Sequence, residues 1–206
     1  MLRRNVKRNS ETQEVTISEI LNIDALDTSS SELEAKIEQS QFEDRELYLT
    51  GEITQQLVQD LITKIRYLNK VSAEPITLYI NSCGGSVCDG FALCDVILSS
   101  QSPIMGYVQG SCMSMAVAVL ASCVDRVAGR YAQFMVHSVR AEFGEMDQTD
   151  MICQANYINR LNEQVAYLLA DASNLKSHEW LDKIIYNETY FTSEDALEFG
   201  LIDEIM

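Results

Sequence analysis

The chain has 206 residues, with 47% apolar and 22% charged side chains and a formal net charge of -16. That composition fits one globular domain with a sizeable core, and the acidity disfavours non-specific binding to nucleic acid or anionic lipid. No stretch is long and apolar enough to span a bilayer; the strongest runs only from Met115 to Ala121.

The amino-terminal stretch reads as a polar extension over residues 1–44. Arg3, Arg4, Lys7 and Arg8 make a short basic arm ahead of an acidic body. No apolar run follows Met1, so a secretory signal is not expected, and the location expected is cytoplasmic. Two short apolar pieces, Val15 to Leu21 and Ile23 to Leu26, interrupt the extension, and Ser29, Ser30 and Ser31 stand in a row. Part of this segment is expected to be flexible.

From Leu47 the pattern becomes regular. Leu47 to Leu49 reads as a short strand ending at Gly51, and Thr54 as the cap of a helix whose apolar face is Leu57, Leu61, Ile62, Ile65 and Leu68. After Pro75, Ile76 to Ile80 reads as a buried strand. Gly84-Gly85 then turns into a helix from about Val87 to Leu98. Met105 to Val108 is a strand, and a turn leads into an apolar helix from about Ser114 to Ala121. Arg126 to Ala128 and Gln133 to Val136 are short strands. Helices follow over about 149–172, from Ser177 to about Ile185, and from Ser193 to Phe199. This alternation predicts an α/β fold with βαβ units and a largely parallel sheet, with its chemistry in the turns at the carboxyl ends of strands.

The six cysteines are read as buried free thiols in a reducing compartment, since several lie inside apolar runs. No histidine stands at ligand spacing from a cysteine pair, so neither a metal site nor a cofactor is expected.

Three turns hold residues that suggest chemistry. In Asn81 to Ser86, a glycine pair after a buried strand lets backbone N–H groups approach a ligand closely. In Gly110 to Met115, Ser114 stands where a strand turns into a helix; read alone it is a cap or a nucleophile, and Ser111 competes with it. His137 ends the strand of Phe134 to Val136. A serine needs a neighbouring base to become nucleophilic, and the one other histidine, His178, sits in a polar helix start.

Together these segments resemble ClpP, the peptidase subunit of the Clp proteases. Leu78 to Val87 is similar to that family's Y-I-N-S-P-G-G-S-V segment, and Gly110 to Ala116 to G-x-A-A-S-M-G. Phe134 to His137 is similar to V-M-I-H, Ser193 to Asp203 to the closing S-A-E-E-A-x-E-Y-G-L-I-D, and Leu47 to Gly51 to F-L-T-G. The resemblance spans residues 45–206. It implies the ClpP/crotonase fold with a protruding helical arm, here residues 149 to 172, whose stripe is Ile152, Ala155, Ile158, Leu161, Val165 and Leu168. It also implies Ser114 as nucleophile, His137 as general base, and the backbone N–H groups of Gly85 and Met115 as the oxyanion hole. The function implied is a serine endopeptidase that cleaves unfolded polypeptide through an acyl-enzyme. It would act inside stacked rings, commonly heptameric, that work with an AAA+ unfoldase.

The departures from the family are specific. An ungapped comparison from Ser177 to Thr192 sets Ile184 at the position of the family's third catalytic residue, an Asp. Asp182, Asn187 and Glu188 are the nearby polar substitutes, with Glu188 preferred. Cys83 stands for the family's Pro, and Ser138-Val139 for Gln-Pro after the histidine. Residues 1–44 do not resemble the family's axial loops. Similar variation occurs in phage and prophage head-maturation proteases related to ClpP. Two other readings are a catalytically silent subunit of a mixed ring, and a crotonase-type acyl-CoA enzyme that uses the Gly-Gly turn as an oxyanion hole.

Overall fold

A computed structural model describes residues 30–206 apart from 142, 143 and 187. The basic arm, the two apolar pieces of the extension and Asn187 lie outside the described residues. The chain divides between Ser40 and Gln41 into two units. Of the first unit, the described part is the opening of helix α1 (Ser30–Glu43), in a segment where the sequence reading assigned no element.

In the second unit, β1 (Glu46–Ile53), α2 (Gln55–Val71), β2 (Ile76–Gly85), α3 (Val87–Leu98) and β3 (Ile104–Met113) form two successive βαβ units. Then come α4 (Met115–Ala121), β4 (Arg126–Ala128), β5 (Gln133–Val136), the long α5 (Gln148–Asp171), α6 (Ser177–Ile185), β6 (Thr189–Thr192), α7 (Ser193–Glu198) and β7 (Glu204–Ile205). The sheet runs β1-β2-β3-β4-β7, and β5 also pairs with β3. Every pairing is parallel except that of β5 with β6. The parallel α/β expectation therefore holds.

Helix α2 forms because its apolar positions recur at helical spacing. Val58, Leu61, Ile62, Ile65 and Leu68 are buried, and Thr54 caps it by accepting a hydrogen bond from Leu57 N at 3.3 Å. Strand β1 does not end at Gly51. It passes through that residue at φ 82°, with a register shift against β2, and continues to Ile53. The junction into β1 is fixed by Arg45. Its guanidinium donates to the carbonyls of Leu68, Ser72, Glu74 and Pro75 and to Ser102 Oγ, which locks the end of α2 to the starts of β1 and β2.

The core combines the inner faces of the sheet with α4, whose seven residues are all buried. Within the same core an aromatic group surrounds Trp180, which has no exposed surface. Its ring meets Phe199 edge-on at 5.9 Å and Phe191 at 6.2 Å, and its Nε1 donates to Ser173 Oγ at 2.8 Å. Asp203 accepts from the backbone N of Arg126 at 2.8 Å and pairs with its guanidinium at 3.1 Å; the same guanidinium also donates to Ala172 O. That tie seats the chain's last strand, β7, beside β4.

The long helix α5 splits its apolar stripe. Towards the carboxyl end, Leu161, Ala166 and Leu169 are buried, whereas Met151, Ile152 and Tyr157 are exposed. Among the described residues, no helix is long and apolar enough to cross a membrane. All six cysteines are free, but only Cys94, Cys112 and Cys123 are buried; Cys83, Cys88 and Cys153 are exposed, because the first two lie beside a turn and the third on the outer face of α5. Burial pushes the Cys94 and Cys123 thiols up to about 12, so they are inert packing groups.

Candidate active site

The site forms where strand β3 changes partner. Its first half, Gly106 to Val108, pairs with β4, and its second half, Ser111 to Met113, pairs with β5. Gly110, at φ 94°, makes the turn between them, and a Cβ there would stand 2.9 Å from Asn81 Oδ1. The same Asn81 oxygen accepts from Ser111 N at 3.0 Å, so the ends of β2 and β3 are fastened together. Ser111 is thereby a member of the strand, and it does not line the cavity that opens beside it.

Ser114 follows at φ 54° and ψ -125°, a conformation that costs a non-glycine residue strain. Its backbone N donates to Met135 O at 2.7 Å, which ties the strained residue to β5. Its hydroxyl makes no cap hydrogen bond to α4. A plain helix cap would have spent that oxygen on the backbone and would not need a positive φ.

The glycine turn packs directly against this residue. A Cβ on Gly84 would stand 2.7 Å from Ser114 Cβ, 2.8 Å from Met113 O and 3.0 Å from Met115 N. A Cβ on Gly85 would stand 2.4 Å from Ile53 O. Ser82 Oγ accepts from Gly84 N at 3.1 Å and donates to Gly51 O at 2.6 Å, which sets the turn's path. No other residue type would let β2 approach Ser114 so closely.

Ser114, Met115, Gly84, Gly85 and His137 line one cavity of about 270 Å³. Glu52, Cys83, Arg140, Asn162 and Ile184 complete much of its wall. No hydrogen bond joins Ser114 Oγ to His137 among the described residues. His178, by contrast, is exposed at the start of α6.

His137 is held below the ordinary histidine range, first by burial and then by the nearby Arg140 guanidinium. The imidazole is therefore neutral near pH 7 and able to accept a proton. Its Nδ1 is buried without a hydrogen-bond partner among the described residues. Ile184, fully buried in α6, lines the cavity and offers no acceptor. Glu188, the preferred substitute for the family's acid, does not hold the imidazole. Its Oε1 accepts from Arg140 and its Oε2 from Tyr190 Oη at 3.1 Å. The two contacts, Tyr190 foremost, hold its carboxyl below the usual range. Asp182 lines a separate surface groove with Glu179 and Lys183.

Two residues of the wall escaped the sequence reading. Asn162 is buried on α5, and its Oδ1 accepts from Val139 N at 2.8 Å, which steadies the chain just past His137. The available signal was an amide beside the apolar stripe of a helix. Arg140 stood in a segment of no recognisable pattern, and nothing in the sequence distinguished it from a solvated cation.

Residues 29–206 match the Clp protease family model. The ATP-dependent Clp protease proteolytic subunit 3 of Synechococcus sp. (strain CC9605) is 31% identical over 166 residues, covering 79% of this chain and 82% of the relative. Proteolytic subunit 1 of Chlamydia abortus is 31% identical over 175 residues, 82% and 90% of the two chains. The proteolytic subunit of Streptococcus sanguinis is 29% identical over 183 residues, 87% and 93%. With its parallel sheet, its glycine turn and this match over most of its length, the chain belongs to the Clp protease family.

Proposed function

We propose that this chain is a serine endopeptidase subunit in which Ser114 is the nucleophile and His137 its base. The observation that carries the reading is the positive φ of Ser114, which presents an uncommitted hydroxyl to the cavity that His137 also lines. Ser114 Oγ attacks the peptide carbonyl as its proton passes to His137. The backbone N–H groups of Gly85 and Met115 receive the developing oxyanion, and removal of one such donor typically costs about 3 kcal/mol of transition-state stabilisation. The protonated imidazole then protonates the leaving amine, and water hydrolyses the acyl-enzyme by the reverse assistance.

The substrate class is unfolded polypeptide, admitted to a chamber formed by stacked rings of this chain, with an AAA+ unfoldase as partner and a cytoplasmic setting. The exposed apolar residues of α5, Met151, Ile152 and Tyr157, support self-association through this helix. Residues 1–44 would act as an extension to the peptidase domain at 45–206.

Fluorophosphonate labelling with intact-mass readout tests the site, with Ser114→Ala as control. The second reading, a silent subunit of a mixed ring, is favoured by the unpartnered Nδ1 of His137. It predicts ring assembly with no labelling at all. The family match argues against the acyl-CoA alternative.

A further inference from the structure

A histidine that serves as a base through one ring nitrogen needs an acceptor for the N–H on the other; without one the useful tautomer is not selected and the ring is not oriented. In this chain Nδ1 of His137 is buried and unpartnered among the described residues. Ile184 supplies no acceptor from α6. The strand pairing does supply one nearby. Strands β5 and β6 run antiparallel, and their last pair is Val136 with Thr189. Continuing that register by one residue sets His137 opposite Glu188, where cross-strand Cβ atoms are typically about 5 Å apart.

The carboxylate beside the histidine is nevertheless engaged elsewhere. Arg140, three residues beyond His137 on the same loop, donates to Glu188 Oε1, while Tyr190 donates to Oε2. Arg140 also lines the cavity with Ser114 and His137. The ion pair is exposed, with 70% of the Arg140 side chain and 42% of the Glu188 side chain accessible, so little free energy separates its closed and open arrangements.

We propose that Arg140 is a latch on Glu188: closed, it withholds the carboxylate from His137 Nδ1; open, it lets Glu188 turn to the imidazole and complete a Ser114–His137–Glu188 relay. Glu188 is then a positioning residue for the base, and Arg140 sets how much of the protein has it in place. Of the groups bearing on the imidazole, Arg140 disfavours its protonated form, whereas the Ser138 backbone and, after it, Glu188 favour that form. Glu52, on the cavity wall, is the other charged residue there. The inference rests on the reading of Ser114 and His137 as the peptidase pair.

The test uses the full chain in four forms: wild type, Arg140→Gln, Glu188→Ala and the double variant. Histidine-selective NMR follows the titration and tautomer of His137, with exposed His178 as internal reference. Fluorophosphonate labelling is measured in parallel. Arg140→Gln is expected to raise the His137 pKa, to produce a hydrogen-bonded Nδ1 proton and to speed labelling by about tenfold or more. Both proteins carrying Glu188→Ala, which leaves no acceptor at that position, should lack that proton, and the double variant should lose the gain in labelling. A hydrogen-bonded Nδ1 proton already present in wild type, no such proton in Arg140→Gln, or a labelling gain that persists in the double variant would overturn the latch. If the proton follows the expected pattern but none of the four proteins is labelled, the latch stands and the peptidase reading falls.

Discussion

A Cβ added to Gly84 would lie 2.7 Å from the Cβ of Ser114. The glycine turn and the serine turn are therefore one structure: the end of β2 is pressed onto the end of β3, and neither can change without moving the other.

Gly84→Ala should consequently damage the site more than the fold. The new methyl meets the backbone at Met113 O and Met115 N, and alanine must also adopt φ 89°. Each kind of strain costs about 1–3 kcal/mol. The expected outcome is a protein that still unfolds cooperatively, at lower temperature, and that reacts with fluorophosphonate far more slowly than wild type. Calorimetry and labelling kinetics on the same preparation would check this.

Labelling should also report the state of His137. Its pKa is lowered from the ordinary value of 6.5, mainly by burial and next by Arg140. The reactive form is the neutral imidazole, so the rate should rise with pH, with its midpoint below 6.5, and should be flat at neutral pH. A rate profile with a midpoint above 7 would mean that the imidazole is held by an acid that these contacts do not contain.

Much of this architecture is legible in the sequence because it depends on local pattern. The helices predicted at Val87 to Leu98 and over 149–172 match α3 and α5 to within a residue or so, since their apolar spacing and caps are local signals. The strand expected to end at Ile80 instead runs on to Gly85, and β1 runs on through Gly51. In both, the continuation is set by pairing with a neighbour through irregular register, which no single segment encodes. Strands β6 and β7 were missed for the same reason: four and two residues are too few to show alternation. Helix α1 was missed because its polar sequence has no apolar face to give it away.

The site divides along the same line. Ser114, His137 and the glycine pair each stood at a turn or strand end, while the choice of Ser114 over Ser111 and the role of Met115 came from the family resemblance; the fold gathers Ser114, His137, Gly85 and Met115 round one cavity. Glu188 was singled out in the sequence as a substitute acid, but the contacts that engage its carboxylate, with Arg140 and Tyr190, were not legible. Glu188 is near His137 because β6 pairs with β5, and it is unavailable because of Arg140; both facts are tertiary.

Trp180 offers a check on packing. It is the only tryptophan in the chain and is wholly buried against Phe191 and Phe199. Trp180→Ala should cost about 3–5 kcal/mol through the cavity it leaves. In the wild-type protein, its fluorescence should shift to the red in step with loss of far-ultraviolet circular dichroism as denaturant is added. A fluorescence change that precedes the loss of helix would show that the α6 cluster unfolds on its own.

Ring stacking through α5 makes a separate prediction. Ile152 is 54% exposed in the single chain, so Ile152→Glu leaves the subunit core untouched. If that face is buried between copies, the substitution buries an unpaired carboxylate and should split the assembly. Light scattering should give a multiple of the 23.2 kDa chain for wild type and a smaller assembly for the variant. A wild-type mass of one chain at micromolar concentration would remove the enclosed chamber from the account.

The central claim is that Ser114 is an activated nucleophile, and intact-mass analysis after fluorophosphonate treatment measures it most directly. One adduct per chain is predicted, on Ser114, and none on a folded Ser114→Ala protein. An adduct that survives in Ser114→Ala, or one that maps to Ser111, would contradict the assignment, and an assembled wild-type protein that never reacts would leave this chain a silent subunit.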